Sequence, residues 1–155
     1  MAFCSMLSKE ADKFLVIGIG NPLRADDGVG PYIANAIKNK QIPGVNVVLS
    51  HQLDIELLEE AGKYAKILLI DASFLGEGLV FRKVQAASTE QGSSSHHLTP
   101  EFFWTLAQKL YHKELSLYVC AVRGRNFEMG EKLSPEVKLL VPKALDEICA
   151  FLREK

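Results

Sequence analysis

Two adjacent carboxylates, Asp26 and Asp27, stand in the run Gly18-Ile19-Gly20-Asn21-Pro22-Leu23-Arg24-Ala25-Asp26-Asp27-Gly28-Val29-Gly30. A third, Asp71, follows the apolar stretch 67–70, and His96 and His97 follow Gly92-Ser93-Ser94-Ser95. Two carboxylates and an imidazole make a borderline-hard donor set suited to a divalent transition metal. Such an ion polarises a carbonyl and lowers the pKa of bound water, and a carboxylate not engaged as a ligand, Asp27 or Asp26, can then serve as general base. The chemistry in view is metal-assisted hydrolysis at a carbonyl. Singly, each residue has a plainer use. Asp26 or Asp27 can cap the next helix, Asp71 can end a strand in a turn, and His96 can sit in solvent. Their joint placement is what points to a site.

Other chemistries fail on the residues. A dinucleotide fingerprint needs a third glycine where Leu23 stands, and two acids would repel a phosphate. No Lys-Ser or Lys-Thr pair follows to make a P-loop, and there is no His-Glu-x-x-His helix. The serines before His96 lack the Gly-x-Ser-x-Gly turn of a nucleophile elbow.

The site residues need elements to carry them. The apolar run 14–17 reads as a buried strand feeding the glycine-rich loop, and Val29, Ile33, Ala36 and Ile37 recur at helical spacing after it. Residues 45–49 form a second strand, and Ile55, Leu57, Leu58 and Ala61 make a helical face within 53–64. The stretch 67–70 is apolar throughout, which places it centrally in a sheet covered on both faces. Residues 79–84 alternate as an edge strand, and 117–122 form a further strand. Thr99-Pro100 and Ser134-Pro135 are helix starts, with Phe103, Leu106 and Leu110 as the buried stripe of the first helix. Leu140, Ala144, Ile148 and Leu152 pack the second, which Pro142 should kink or split.

This alternation predicts an α/β fold, a three-layer sandwich with a mostly parallel twisted sheet of about five strands and helices on both faces. Asp27 and Asp71 then emerge on the carboxyl edge of parallel strands, where such folds bind ligands. The chain of 155 residues reads as one domain over 1–155, with 1–12 a loose N-terminal tail. A formal net charge of −1 argues against nucleic acid as a partner. Cys4, Cys120 and Cys149 are odd in number and widely spaced, which fits a reducing compartment rather than a disulfide scaffold. No apolar run approaches the roughly 20 residues of a membrane span, so a soluble cytoplasmic domain is expected.

At these motifs the chain resembles the hydrogenase maturation endopeptidases. The resemblance is carried by Gly18-x-Gly20-Asn21-x-Leu23-x-x-Asp26-Asp27-Gly28-x-Gly30, by Asp71-Ala72 and by Ser95-His96-His97-Leu98. It ends with Gly124-x-x-Phe127-Glu128-x-Gly130-x-x-Leu133-Ser134-Pro135. The resemblance implies an endopeptidase that removes the C-terminal extension of a nickel–iron hydrogenase large-subunit precursor after nickel insertion, with the nickel as the signal. It implies Asp27, Asp71 and His96 as catalytic and metal-binding residues, with His97 adjacent as the other imidazole. The nickel would come with the substrate, cadmium or zinc could replace it in the free protein, and the protein would act as a monomer. Two positions differ from the family pattern. The first ligand is often Glu where Asp27 stands, and His51-Gln52-Leu53-Asp54 replaces the Asp-Gly-Gly turn of some members. Two other readings stay open at this point, a non-catalytic flavodoxin-like binding module and a peptidyl-tRNA-hydrolase-like esterase.

Overall fold

The structure, a computed structural model, describes residues 13–85, 98–111 and 114–154. The tail expected over 1–12 lies outside them, as do His96 and His97. Strand β1 (Phe14–Ile19) leads through a 3₁₀ turn (Ala25–Gly28) into helix α1 (Val29–Asn39) and strand β2 (Val45–Ser50). Short helix α2 (Leu57–Ala61), strand β3 (Lys66–Ser73) and strand β4 (Leu79–Lys83) follow. Helix α3 (Pro100–Tyr111), strand β5 (Ser116–Arg123) and helix α4 (Pro135–Glu154) complete the chain.

The five strands form one sheet in the order β2-β1-β3-β5-β4. All neighbours are parallel except β4, which runs antiparallel to β5 at the edge. The apolar stretch 67–70 lies in β3, the middle strand, as its composition requires. Side chains alternate across the sheet. Val16, Leu68, Ile70, Cys120 and Val122 face α1 and α4 with Val29, Ile33, Val137 and Ile148. Leu15, Ile17, Ile67, Leu69 and Leu117 face α2 and α3 with Leu58, Ala61, Phe103 and Ala107. The expected three-layer sandwich is what forms.

Three local expectations change. The helix read over 53–64 narrows to α2, because Asp54 starts a turn in which the Leu57 and Leu58 N–H groups donate to the Asp54 and Ile55 carbonyls. Ile55 is consequently exposed, and so is Leu110 at the end of the α3 stripe. Pro142 does not split α4, which runs unbroken from Pro135 to Glu154. Pro142 and Lys138 both lie on the solvent side, so the carbonyl that loses its donor can be hydrated there at little cost.

The topology locates the site. From β1 the chain moves outward to β2, then returns across β1 to β3 on its other side. The carboxyl ends of β1 and β3 therefore form the switch point, where an open α/β sheet leaves a crevice for ligands. Pairing with β1 ends at Gly18 opposite Ile70, whereas β3 continues beside β5 to Ser73 opposite Arg123. Asp71 is the first residue of β3 past the end of its pairing with β1. It shares its face of the sheet with Ile67 and Leu69.

Candidate functional site

The loop after β1 is built by its own short-range bonds. Asn21 makes an Asx turn, its Oδ1 accepting from the Leu23 N–H at 2.9 Å while its carbonyl accepts from the Arg24 N–H at 3.0 Å. Gly20 holds φ at 142°, and a Cβ there would run into the Asp27 carbonyl. That position requires glycine for both reasons. A Cβ on Gly30 would meet the Ile19 and Ile70 carbonyls, so α1 starts against the ends of β1 and β3.

The two adjacent acids have opposite surroundings. Asp26 is fully buried and accepts four hydrogen bonds. The Arg125 and Asn126 N–H groups donate to its Oδ2 at 2.7 and 2.9 Å. Ser134 donates its N–H to Oδ1 at 2.7 Å and its Oγ–H to Oδ2 at 2.8 Å. Burial alone would raise the Asp26 pKa, but these donors outweigh it and hold the carboxyl below its ordinary value. A carboxylate so surrounded has no accessible oxygen for a substrate proton. Asp26 is therefore not a general base, and the expectation that allowed it that part is corrected. Neither acid caps α1, whose N-cap is Gly28 with no side-chain bond among the described residues.

Asp27 faces the other way. Its Oδ2 accepts from the Asn21 N–H at 2.7 Å, and Oδ1 takes no hydrogen bond among the described residues. Asp71 accepts from the Ala72 N–H at 2.8 Å through Oδ1, leaving Oδ2 similarly open. Burial, followed by the negative charge of Asp27, pushes the Asp71 carboxyl from 3.8 up to about 7 while the Ala72 N–H opposes the rise. Both acids line one cavity of about 560 Å³ with Arg24, His51, Gln52 and Phe74. The structure thus brings Asp27 and Asp71 together, as their strands predicted.

His96 lies outside the described residues, but Leu98, two positions on, lines the same cavity and donates its N–H to the Leu53 carbonyl at 3.1 Å. Among the described residues no three His, Cys, Asp or Glu side chains are gathered closely enough to hold a metal ion. His51, Gln52 and Arg24 were missed as crevice residues. The signal was present for the first two, since they follow β2, a parallel strand whose carboxyl end lies beside that of β1.

An apolar fringe borders the crevice. The Phe74 and Phe127 rings pack with centroids 4.2 Å apart, and Phe74 stays 67% exposed beside Leu75, with Leu23 and Met129 also exposed. Among the described residues no helix is long and apolar enough to cross a membrane.

No protein-family model matches the chain, and no curated protein does. Solved structures do. The hydrogenase maturating endopeptidase HybD from E. coli superposes with a TM-score of 0.72 at 20% identity, over 92% of this chain and 93% of that one. The [NiFe] hydrogenase maturation protease HycI from Thermococcus kodakarensis KOD1 gives 0.71 at 18% identity, over 96% and 99%. HybD from Thermococcus kodakarensis gives 0.65 at 23%, over 90% and 99%. The chain has the fold of these proteases along nearly its whole length.

Proposed function

We propose that this chain is a hydrogenase maturation endopeptidase, a peptide hydrolase that removes the C-terminal extension of a nickel–iron hydrogenase large-subunit precursor after nickel insertion. The reading rests above all on one observation, the pairing of Asp27 and Asp71 in one crevice at the switch point of the sheet. The shared fold and the ordered motifs support it. The donor chemistry fits a divalent ion, because Asp71 is held up to about 7 by burial and by the Asp27 charge, and a cation relieves both costs.

Asp27, Asp71 and His96 are proposed to hold the nickel that the precursor carries, with cadmium or zinc as replacements in the free protein. That ion would supply polarisation of the scissile carbonyl and an acidified water. Asn21 fixes one oxygen of Asp27 and leaves the other to the crevice. Asp71, held up to about 7 in the free protein, would give up its proton as the ion binds. Arg24, His51 and Gln52 offer hydrogen-bonding groups to an extended polypeptide lying in the cavity. The protein is proposed to act as a cytoplasmic monomer and to take its nickel with the substrate.

The test is to mix the purified protein with nickel-loaded, C-terminally extended large subunit and follow the mass of that subunit. Loss of a short C-terminal peptide, abolished by Asp71→Asn and by His96→Ala, is the expected result. An unchanged mass with properly loaded precursor overturns the reading.

A further inference from the structure

We propose that Asp26 is a positioning residue, whose buried carboxylate gathers the loop 124–134 and thereby sets where Asp27 stands in the crevice. The inference rests on the reading of Asp27 as a residue of the working site. It makes a loop that contributes nothing to the cavity lining part of the machinery.

The four bonds to the Asp26 carboxylate come from residues 99, 100 and 108 positions away in sequence. Four more tie the same short segment to the same loop. The Asp26 N–H donates to the Asn126 carbonyl at 2.8 Å and the Ala25 N–H to the Gly130 carbonyl at 2.6 Å. The Gly130 N–H donates back to the Leu23 carbonyl at 2.8 Å, and Arg24 Nε donates to the Phe127 carbonyl at 3.3 Å.

Strain marks the same place. Ala25 is buried with φ at 50°, a left-handed conformation that alanine disfavours and that persists only when its surroundings impose it. The bond to Gly130 is that imposition. Asp27, the next residue but one, has only the Asn21 N–H on its side chain and the Arg24 carbonyl on its own N–H, both within its own loop. Where Asp27 sits relative to Asp71 is therefore set by the clamp together with the seating of its carbonyl against Gly20.

Gluing two loops together does not by itself call for a carboxylate. An apolar contact would do so without desolvating a charge, a cost that is large unless every lone pair finds a donor. What the carboxylate adds is direction, since four donors aimed at two oxygens fix both the depth and the rotation of the turn. Ser134 also serves α4, its Oγ accepting from the Val137 N–H at 3.4 Å, so the helix start and the site-bearing turn share one hydroxyl.

The experiment compares wild type with Asp26→Asn, Ser134→Ala and Ser134→Thr, and with Ile148→Val as a core variant remote from the site. Three readouts are taken well below each melting temperature. In the metal-free protein, hydrogen exchange of the Asn21 amide, which donates to Asp27, should quicken at least tenfold relative to β3 amides in Asp26→Asn and Ser134→Ala. It should keep its wild-type ratio in Ile148→Val and return toward it in Ser134→Thr. Affinity for cadmium alone should weaken about five- to tenfold, and processing should lose kcat with KM nearly unchanged. If the Asn21 exchange ratio and the cadmium affinity stay at wild-type values while the melting temperature falls, Asp26 is structural glue and the proposal is overturned. Should Asp26→Asn not fold, Ser134→Ala decides alone. A wild type that neither binds cadmium nor cleaves precursor would defeat the proposed function, and the exchange ratio would still decide the positioning role.

Discussion

Asp71→Asn should stabilise the free protein at neutral pH while destroying its activity. In the folded chain the Asp71 carboxyl titrates at about 7, against 3.8 for an ordinary aspartate, because of burial first and the Asp27 charge after it. Between those two values the folded state binds more protons than the unfolded one, so stability falls as pH rises through that window. Above about pH 7 both states are ionised and the whole penalty is present. A gap of about 3 pH units at 1.36 kcal/mol each gives an upper bound of about 4 kcal/mol. Water in an open crevice screens part of this, leaving about 2–3 kcal/mol. Asparagine keeps the oxygen that accepts from the Ala72 N–H and cannot ionise, so it removes the penalty and little else. At about 2–4 °C per kcal/mol for a chain of this size, the variant should melt roughly 4–12 °C higher at pH 8. The assay is urea or thermal unfolding of both proteins from pH 4 to pH 8. The difference should be small at pH 4, widen up to about pH 7 and then level off. A gap that does not change with pH, or a variant less stable than wild type at pH 8, would refute the reasoning.

Four further outcomes are expected. Added nickel, cadmium or zinc should bind the free protein weakly and reversibly to chelator, and binding measured by calorimetry should fade below about pH 7, because Asp71 must release a proton to act as ligand. Asp27→Ala should abolish processing in a mass assay while costing at most about 1 kcal/mol in urea unfolding, because the lost Asn21 bond is partly offset by relief of the Asp71 carboxyl. Gly20→Val should lower the melting temperature and the activity together, by about 2 kcal/mol or more, since a side chain there meets both the left-handed φ and the Asp27 carbonyl. Phe103→Ala, in the core between α3 and the sheet, should cost about 3–5 kcal/mol by the same unfolding measurement without altering metal affinity.

The sheet was legible because its signal is local. A short uninterrupted apolar run such as 67–70 suits a strand buried on both faces, and alternating strands and helices leave few topologies once crossovers must be right-handed. The crevice followed from the same logic, since Asp27 and Asp71 each come at or just past the end of a parallel strand. What could not be read was anything decided by a partner remote in sequence. Leu53, where the sequence pattern begins the helix, is held instead from the far side by the Leu98 N–H. Pro142 looked like a break because its solvent-facing position on α4 is visible only once the helix is packed.

The acidic pair shows where local reading stops. Asp26 and Asp27 have the same chemistry and adjacent positions, and a helix-cap argument treats them as interchangeable. Their roles separate only when loop 124–134 arrives with three N–H groups and a hydroxyl for one of them. A carboxylate that receives four donors is spent as an anchor, and a neighbour that receives one keeps an oxygen for chemistry. The turn itself enforces the division, since successive residues in the Ala25–Gly28 turn point to different sides, one toward the start of α4 and the other into the crevice. Exchanging the two acids for Asn one at a time should therefore give opposite phenotypes. The anchor's loss falls on stability and alignment together, and its neighbour's loss falls on the chemistry alone.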